Sequence, residues 1–534
     1  MRSFKRILLG SAAAFAAVGA AQAADLPVKK AAPIAYVRVC TAYGAGFFYI
    51  PGTDTCLRIS GRARFEGGYQ TAYSRQAGNG GDTSGYRGQL RFNLDARTQT
   101  AYGTLRAFAR LDAASRTGTI HSGTQLRIGQ AYGATGVDER GRVQQYVNVD
   151  KAFIQFAGLT AGRASSFFDF YAHDFEFYGA TAGSDNSSTN LLAYTATFGN
   201  GLSATLSIED PVFARSSVFA PTGSAPPVSP VYVGYANGVP SRYGNVDSVQ
   251  RTRLPDFVGA LRVDQAWGSA QLSAATHEIN VGNLSTATAA GVGGVLTGIP
   301  HTSSVQGWAV QGGLKINAPA IGAGDALYIQ GAYANGAQMY IGYCMIAGCY
   351  AQSNSGWDGQ KFNQPFVDAT INPYTGQLQT SAGFSTVASY LHYWSPEWRS
   401  ALFGSYGELG FARSARLAQG TLYGLASANG AAAGFGSNAV GVPGTRFYQL
   451  SEALRDTYQF VVGGSLIWSP VSDLDIGVEA FYTQVGVKGG RVIDSDKSPT
   501  AYANVAAINS GAFVPRTTAQ DSMTQVRFRV QRDF

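Results

Sequence analysis

The segment 89–111 alternates apolar and polar side chains with a period of two. Before Thr98–Thr100, apolar residues such as Leu90 take one parity and charged residues such as Arg91 the other, and after it the alternation resumes with Leu105 and Arg106. Phe108 alone interrupts it. A period of two is the pattern of a β-strand whose two faces meet different surroundings. A soluble sheet with one wet face and a membrane strand both produce it, so the rest of the chain has to distinguish them.

The first 23 residues carry the pattern of a secretory signal peptide. Three basic residues precede a small apolar run that ends in Ala-Gln-Ala, and we expect cleavage after Ala23. The run is too short to span a bilayer as a helix. Removing the three basic residues lowers the formal net charge from +7 to +4, and so small an excess argues against nucleic acid as the main partner.

The composition of the remaining chain favours a membrane β-protein. No apolar run of about 18 residues follows the signal peptide, which excludes a helical membrane protein. The chain has 67 Gly, 29 Tyr and 30 Phe with only 14% charged residues, typical of a β-protein rich in turns and aromatics. Transmembrane β-barrels lack long apolar runs because only alternate residues face lipid.

Alternation predicts sixteen strands joined by two kinds of connection. The strands are expected at 57–69, 87–97, 101–111, 150–157, 159–165, 191–198, 202–209, 257–267, 270–277, 307–317, 325–335, 383–394, 399–407, 456–468, 474–487 and 523–534. Tight turns alternate with long loops, expected at 112–149, 210–256, 278–306, 336–382, 408–455 and 488–522. Outer-membrane barrels have short periplasmic turns and long external loops. The sequence therefore predicts an all-β, 16-stranded antiparallel transmembrane β-barrel.

Two tight turns share an aromatic residue followed by Ser-Pro, at Tyr393–Pro396 and Ile467–Pro470. They indicate an interfacial aromatic girdle with proline outside the strand ladder; the alternative is two ordinary hairpins with a packed Trp. The last strand places Val526, Phe528 and Phe534 on one face. A terminal aromatic residue on a closing strand resembles the assembly signal of outer-membrane barrels.

Three stretches, Tyr43–Tyr69, Asn93–Arg110 and Ala157–Phe170, make the chain resemble the general porin family of alphaproteobacteria. The resemblance implies a barrel in the bacterial outer membrane, usually a homotrimer, that passes small hydrophilic solutes and ions and uses no cofactor. It also implies a third external loop, at 165–190, folded into the lumen as a constriction. The expected organisation is a signal peptide at 1–23, a periplasmic segment at 24–56 and a barrel at 57–534.

Alternation assigns the apolar parity to lipid and the arginines to a water-filled lumen. Closure would place the last strand beside the first three, giving one basic wall of Arg62, Arg64, Arg91, Arg97, Arg106, Arg110, Arg527 and Arg529. Carboxylates in the expected constriction loop are Asp169, Asp174, Glu176 and Asp185. Opposed walls of this kind would produce a transverse field that favours polar solutes. The alternative is that individual arginines pair with Glu66 and Asp95.

The four cysteines are expected to form disulfides because the chain leaves the cytoplasm. Of three connectivities, topology favours Cys40–Cys56 at the periplasmic end and Cys344–Cys349 in an external loop, since cross-pairing would have to span the bilayer. No metal site is expected, because the cysteines lack neighbouring histidines.

Two other function classes remain open in the sequence. An outer-membrane enzyme would need a catalytic group, and the candidate is His173, which lies between Asp169 and Asp174 in sequence. No Gly-x-Ser-x-Gly motif accompanies it, and the glycine clusters 78–81 and 291–294 do not join a strand to a helix as phosphate loops do. A solute-selective channel, or a receptor whose external loops bind a partner, is the third interpretation.

Overall fold

A computed structural model describes residues 38–70, 83–118, 135–136, 144–170, 188–222, 227–282, 290–291, 295–296, 304–342, 361 and 366–534. The main sheet has 18 strands. Two of them, Phe48–Tyr49 and Thr135–Gly136, have only two residues each and pair with the first residues of longer strands. The other sixteen are the strands of a barrel.

These sixteen strands, β1 to β16 in chain order, pair antiparallel with their sequence neighbours. They are β1 Cys56–Gln70, β2 Ser84–Thr100, β3 Gly103–Gly118, β4 Gln144–Phe156, β5 Leu159–Ala164, β6 Thr189–Gly199, β7 Leu202–Glu209, β8 Asp256–Gln265, β9 Gly268–Ile279, β10 Val305–Asn317, β11 Ala326–Asn335, β12 Ala382–Tyr393, β13 Trp398–Gly410, β14 Thr457–Val471, β15 Leu474–Val487 and β16 Gln520–Asp533. The last strand pairs with the first, from Arg62 opposite Asp533 to Gln70 opposite Gln525. The sheet is therefore closed, as predicted.

The connections alternate between tight and long. Asn200 and Gly201, between β6 and β7, both have positive φ, 47° and 74°, the geometry of a two-residue hairpin turn. A Cβ on Gly201 would lie 1.9 Å from the backbone oxygen of Asp264, so this turn requires glycine. Most turns lie in the gaps between the predicted strands, but the turn between β2 and β3 is at 101–102 rather than 98–100, and that between β8 and β9 is at 266–267 rather than 268–269. Several strands also extend beyond their predicted ends.

The largest extension concerns β3 and β4, which run on to Gly118 and back from Gln144. The prediction of a loop over 112–149 was too long there because the extensions lack regular apolar alternation. The second Ser-Pro turn also differs from its prediction, since Pro470 lies inside β14, at a register irregularity between Trp468 and Val471. A proline is tolerated in a ladder at such a position. Trp468 stacks on Trp398, with ring centroids 5.8 Å apart.

The two parities of the barrel strands differ in exposure as the sequence predicts. On β2, Leu90 is 47% exposed and Leu94 37%, whereas Gln89 is 6% and Asp95 8% exposed. The outward parity of other strands is likewise apolar, with exposed leucines at 105, 192, 206, 261, 272, 402 and 466. A contiguous apolar surface of this extent is compatible with lipid rather than water.

The long loops fold against one another. In the described parts of the loops, the α-helices are α1 Arg413–Ala428, α2 Arg446–Leu450 and α3 Val505–Ser510. The short strands there are Ser217–Phe219, Val228–Ala236, Val239–Asp247, Ala290–Gly291, Val295–Leu296, Val367–Ile371, Leu378–Thr380, Val492–Ile493 and Thr517–Thr518. Ala415, Leu422 and Ala426 form the buried face of α1. Leu422 joins Tyr232, Phe447 and residues of α3 in one apolar cluster, so three loops share a core at this end of the barrel.

Among the described residues, no helix is both long and apolar enough to cross a membrane. Ahead of β1, the segment from residue 38 is fixed by the predicted disulfide between Cys40 and Cys56, whose Cα atoms are 6.0 Å apart. The guanidinium of Arg97 lies 4.9 Å from the ring centroid of Phe47 in the same segment. Cys344 and Cys349 lie outside the described residues, and their disulfide stays a prediction.

Candidate pore lining

Closure places the inner faces of β16, β1, β2 and β3 side by side. Arg62 and Arg64 lie on β1, opposite Asp533 and Gln531 of β16. The other predicted arginines lie on the same continuous wall, at Arg91, Arg97, Arg106, Arg110, Arg527 and Arg529. The structure therefore brings all eight together on neighbouring strands, as their alternation predicts.

Ion pairs within this wall hold most of the arginines. Arg62 contacts Asp533 at 2.6 Å, and Arg91 contacts Asp112 at 2.8 Å. Asp95 accepts from two guanidiniums, those of Arg97 at 2.7 Å and Arg106 at 2.9 Å. The pairing alternative considered for the sequence therefore holds for Asp95. The sequence alone does not reveal Asp112 and Asp533 as partners, because their proximity to these arginines depends on strand register.

Glu66 is the centre of the most buried part of the wall. It is 1% exposed and contacts Arg87, Arg529 and Arg64, the last at 3.7 Å. Arg529 Nε donates to its Oε1 at 2.7 Å. Arg527 is 1% exposed and lies opposite Glu479 of β15 in the register. Arg527 and Arg529 are thus packed within the wall, whereas Arg97, Arg106 and Arg110 are partly accessible.

A β-bulge brings further charges beside Arg110. The register between β3 and β4 shifts between Arg110 and Leu111, which leaves Asp150 as the additional residue of β4. Arg110 contacts Asp150 at 3.5 Å and also donates to Asn93 at 2.9 Å. Bulges re-aim side chains in this way near functional sites. The alternation of the sequence does not reveal this bulge.

Residues 165–170, directly after β5, fold into the barrel and pack on the far side from the arginines. The backbone oxygen of Phe168 accepts from Ser273 at 2.7 Å and Gln311 at 2.7 Å, and that of Asp169 accepts from Gln271 at 3.2 Å. These three partners are on the inward parity of β9 and β10, eight strands away from β1 and β2. Asp169 is therefore held opposite the arginine wall. Asp174, Glu176 and Asp185 lie outside the described residues.

The charge of the wall is only partly compensated by its own carboxylates. In the ion pairs described for this wall, eight guanidiniums share five carboxylates. The guanidiniums are those of Arg87 and of seven predicted arginines, and the carboxylates are Glu66, Asp95, Asp112, Asp150 and Asp533. The eighth predicted arginine, Arg527, lies opposite Glu479. Arginine stays ionised at any relevant pH. The arrangement can therefore present fixed positive charge to an anion or to the negative end of a dipolar solute.

The prediction for His173 is not tested, but another histidine lies in a buried charged cluster. His173 lies outside the described residues, but His277, on β9, is fully buried between Asp256 and Asp368. Tyr340 Oη donates to Asp256 at 2.8 Å in the same cluster. In the described part of the chain, no group of three or more His, Cys, Asp or Glu has the arrangement of a metal site. The cluster joins loop segments to the barrel, and its charged side chains are fully buried.

A closed barrel with an apolar outside, a charged inside and one loop packed inward defines an outer-membrane channel protein. The sequence profile of the family described as "Porin subfamily" matches residues 25–510. The chain belongs to this porin family, and it is an outer-membrane porin, located in the bacterial outer membrane.

Relatives and solved structures agree with this assignment. The porin Omp2b of Brucella neotomae is 31% identical over 374 residues, which are 67% of this chain and 81% of the relative. Omp2b of Brucella suis biovar 1 is 34% identical over 279 residues, 50% of this chain and 64% of that relative. The crystal structure of the outer membrane channel DcaP of Acinetobacter baumannii has a TM-score of 0.50 at 12% identity, covering 91% of this chain and 99% of that chain. This last likeness concerns the fold alone.

Proposed function

We propose that this porin lets small hydrophilic solutes and ions diffuse passively through a lumen narrowed between the arginine wall and the segment 165–190. The observation that carries the proposal is the position of Phe168 and Asp169, hydrogen-bonded to the inner face of β9 and β10 opposite β1 and β2. A loop held there reduces the open cross-section where the fixed charges are concentrated. Apolar solutes would lose more hydration than they recover at such a place.

Swelling of proteoliposomes in sugars of increasing size tests this proposal. A general diffusion channel gives rates that fall smoothly with solute size. A solute-selective channel, the alternative function, gives a preference unrelated to size. Absence of swelling with every small sugar would contradict a diffusion function of either kind.

We also propose that the protein assembles as a homotrimer, in contact with outer-membrane lipid, after removal of residues 1–23. Family resemblance supports the trimer, and the apolar outer face supports contact with lipid. Native mass in mild detergent should equal three mature chains, and the mass of the denatured chain should correspond to cleavage after Ala23. A monomeric native mass would contradict the trimer.

The family is one of channels, and we propose that this member has no catalytic activity. The absence of a nucleophile motif in the sequence supports this. Assays of hydrolysis with peptide, ester and phospholipid substrates should give the rate of the protein-free control. Activity that disappears in a His173→Ala variant would favour the enzyme alternative instead.

A further inference from the structure

Phe108, the residue that interrupts the alternation of segment 89–111, lies on the inner face of β3 between Arg106 and Arg110. The register places it opposite Phe153 of β4. The two rings stack with their centroids 5.2 Å apart and their planes at 28°, and both side chains are half-buried. An aromatic pair thus lies on the wall that otherwise carries polar and charged groups.

Guanidinium groups border this aromatic pair. Arg106 Cζ lies 5.0 Å from the ring centroid of Phe108 and 5.5 Å from that of Phe153, and Arg110 Cζ lies 5.6 Å from Phe108. Arg106 is fixed by hydrogen bonds to Asp95 at 2.9 and 3.0 Å and to Gln155 at 2.9 Å. A guanidinium has five N–H donors, and these bonds engage three of them.

A glycine lets the aromatic surface continue toward the inward-folded segment. Phe153 is opposite Gly162 of β5, which has a φ of +125° and whose Cβ would lie 2.4 Å from the backbone oxygen of Ala152. The position on β5 opposite Phe153 therefore carries no side chain that could cover the ring. Phe153 and Phe167 both pack against the cluster that contains Leu191, so an aromatic strip of Phe108, Phe153 and Phe167 runs from β3 to the start of the inward segment.

The charged groups around the strip are predominantly basic. Around Phe108 and Phe153 they are Arg97, Arg106, Arg110 and Lys151, against Asp95 and Asp150, which gives a formal excess of two positive charges at this end. At the other end of the strip, the Glu209 carboxylate accepts from the backbone N–H of Phe167 at 3.2 Å. A flat ring gains contact with the phenylalanines, and a carboxylate gains charge-assisted hydrogen bonds from arginine. A neutral sugar would use only the first interaction, and a small inorganic anion only the second.

We infer that the aromatic strip and its arginines form a binding subsite for small aromatic carboxylates on their way through the lumen. The inference rests on the proposed diffusion function, because a solute reaches the strip only if the lumen conducts. It deepens that function by naming a solute class that the channel retains longer than others.

Planar-bilayer recording with benzoate as the probe tests the inference. Benzoate should reduce the KCl current in a concentration-dependent manner, while acetate, with the charge but no ring, and benzyl alcohol, with the ring but no charge, should have much weaker effects at equal ionic strength. Phe108→Leu should raise the apparent dissociation constant of benzoate by about 2- to 10-fold, the value of one aromatic contact. Its KCl conductance should stay close to that of the wild type.

Phe65→Leu is the matched control, since Phe65 is an aromatic residue of the outward parity, 46% exposed. It should leave the benzoate effect unchanged. A wild-type channel that conducts KCl but responds equally to benzoate and acetate would overturn the inference and leave the proposed function intact. A channel that does not conduct would overturn both. If Phe108→Leu lowered the KCl conductance by the same factor as it weakened benzoate binding, the rings would serve only to pack the wall, and the inference would be wrong.

Discussion

The ring of Phe534 lies directly over Gly61, at the junction between the last and first strands. The backbone N–H of Phe534 donates to the oxygen of Gly61 at 3.0 Å, and that of Gly61 donates to Phe534 at 2.8 Å. A Cβ on Gly61 would lie 2.4 Å from Phe534 Cζ and 2.5 Å from the backbone oxygen of Arg91. Closure of the barrel therefore depends on the absence of a side chain at Gly61.

A Gly61→Val variant should impair barrel closure. The ring of Phe534 can rotate away, but the Arg91 carbonyl belongs to the ladder, so the strand has to shift; overpacking of this kind costs about 1–3 kcal/mol. The folded fraction, measured as the heat-modifiable band on gels, should fall. Gly88→Val is the control, because a Cβ at Gly88 meets nothing within 4 Å. Equal folded fractions of the two variants would contradict this account of the junction.

Glu66 should be the carboxylate whose loss destabilises the barrel most. In Glu66→Gln, the buried guanidiniums of Arg87 and Arg529 lose their shared counter-charge, and breaking a buried ion pair on one side costs about 3–5 kcal/mol. The midpoint of unfolding in denaturant should therefore move to a lower denaturant concentration. Asp533→Asn removes a carboxylate from an ion pair that is partly exposed, with side-chain exposures of 28% and 42%, and should cost less than about 1 kcal/mol. If Asp533→Asn lost more stability than Glu66→Gln, the burial of the ion pair would not determine how much its loss destabilises the barrel.

The barrel could be predicted from sequence because a period of two, repeated between turns, reports directly on a strand with two environments. Leu94 and Asp95 illustrate this, since they are adjacent in sequence but face opposite sides of the barrel wall. The ion pairs could not be predicted, because they require the register. Arg91 meets Asp112 only through the pairing of β2 with β3, and Asp150 turns inward only through a bulge.

The folding of the long loops could not be predicted from sequence for a different reason. Val231 and Ile371 come from separate loops, and both are fully buried in the same apolar cluster. Such contacts join segments more than a hundred residues apart and leave no periodic trace in either one. The prediction of long loops was accordingly too simple for the external end, where these segments contain helices, short strands and apolar clusters.

Neutralising two accessible arginines should shift ion preference toward cations. In Arg106→Gln with Arg110→Gln, Asp95 keeps Arg97 as its partner and Asp150 keeps the hydrogen bond from Ser188 at 3.1 Å, so folding should be affected much less than ion preference while the lumen loses two positive charges. Reversal potentials under a KCl gradient should move toward the potassium equilibrium potential. The shift should shrink in about 1 M salt, where the screening length falls to about 3 Å. Arg532→Gln, an exposed arginine on the outward parity, is the control, and an equal shift in that variant would contradict the assignment of Arg106 and Arg110 to the lumen.

The docking of an external loop on the barrel should depend on pH through Asp368. This carboxylate is fully buried; it accepts from the backbone N–H of Ser216 at 2.7 Å and of Gln338 at 2.8 Å, and lies 3.7 Å from His277 Nε2. Burial raises the pKa of Asp368 to about 6, although His277 and the N–H donors act to lower it. Its neighbour Asp256 is held by His277 and Tyr340.

The sign of the effect follows from proton binding. When the loop is undocked, the Asp368 carboxyl is exposed and has an ordinary pKa of about 4, whereas the docked carboxyl keeps its proton up to a pH of about 6. Between these values only the docked state binds the proton, so docking loses stability as the pH rises, by up to about 3 kcal/mol, and then stays constant. Protease cleavage of the loop 366–381 measures this. Relative to Asp368→Asn, whose side chain does not titrate, the wild-type cleavage rate should rise more than about tenfold from pH 4.5 to pH 6.5 and level off above. Taking the ratio of the two proteins cancels the pH dependence of the protease itself. A ratio that is flat over this range would mean that the charge on Asp368 does not control how the loop is held.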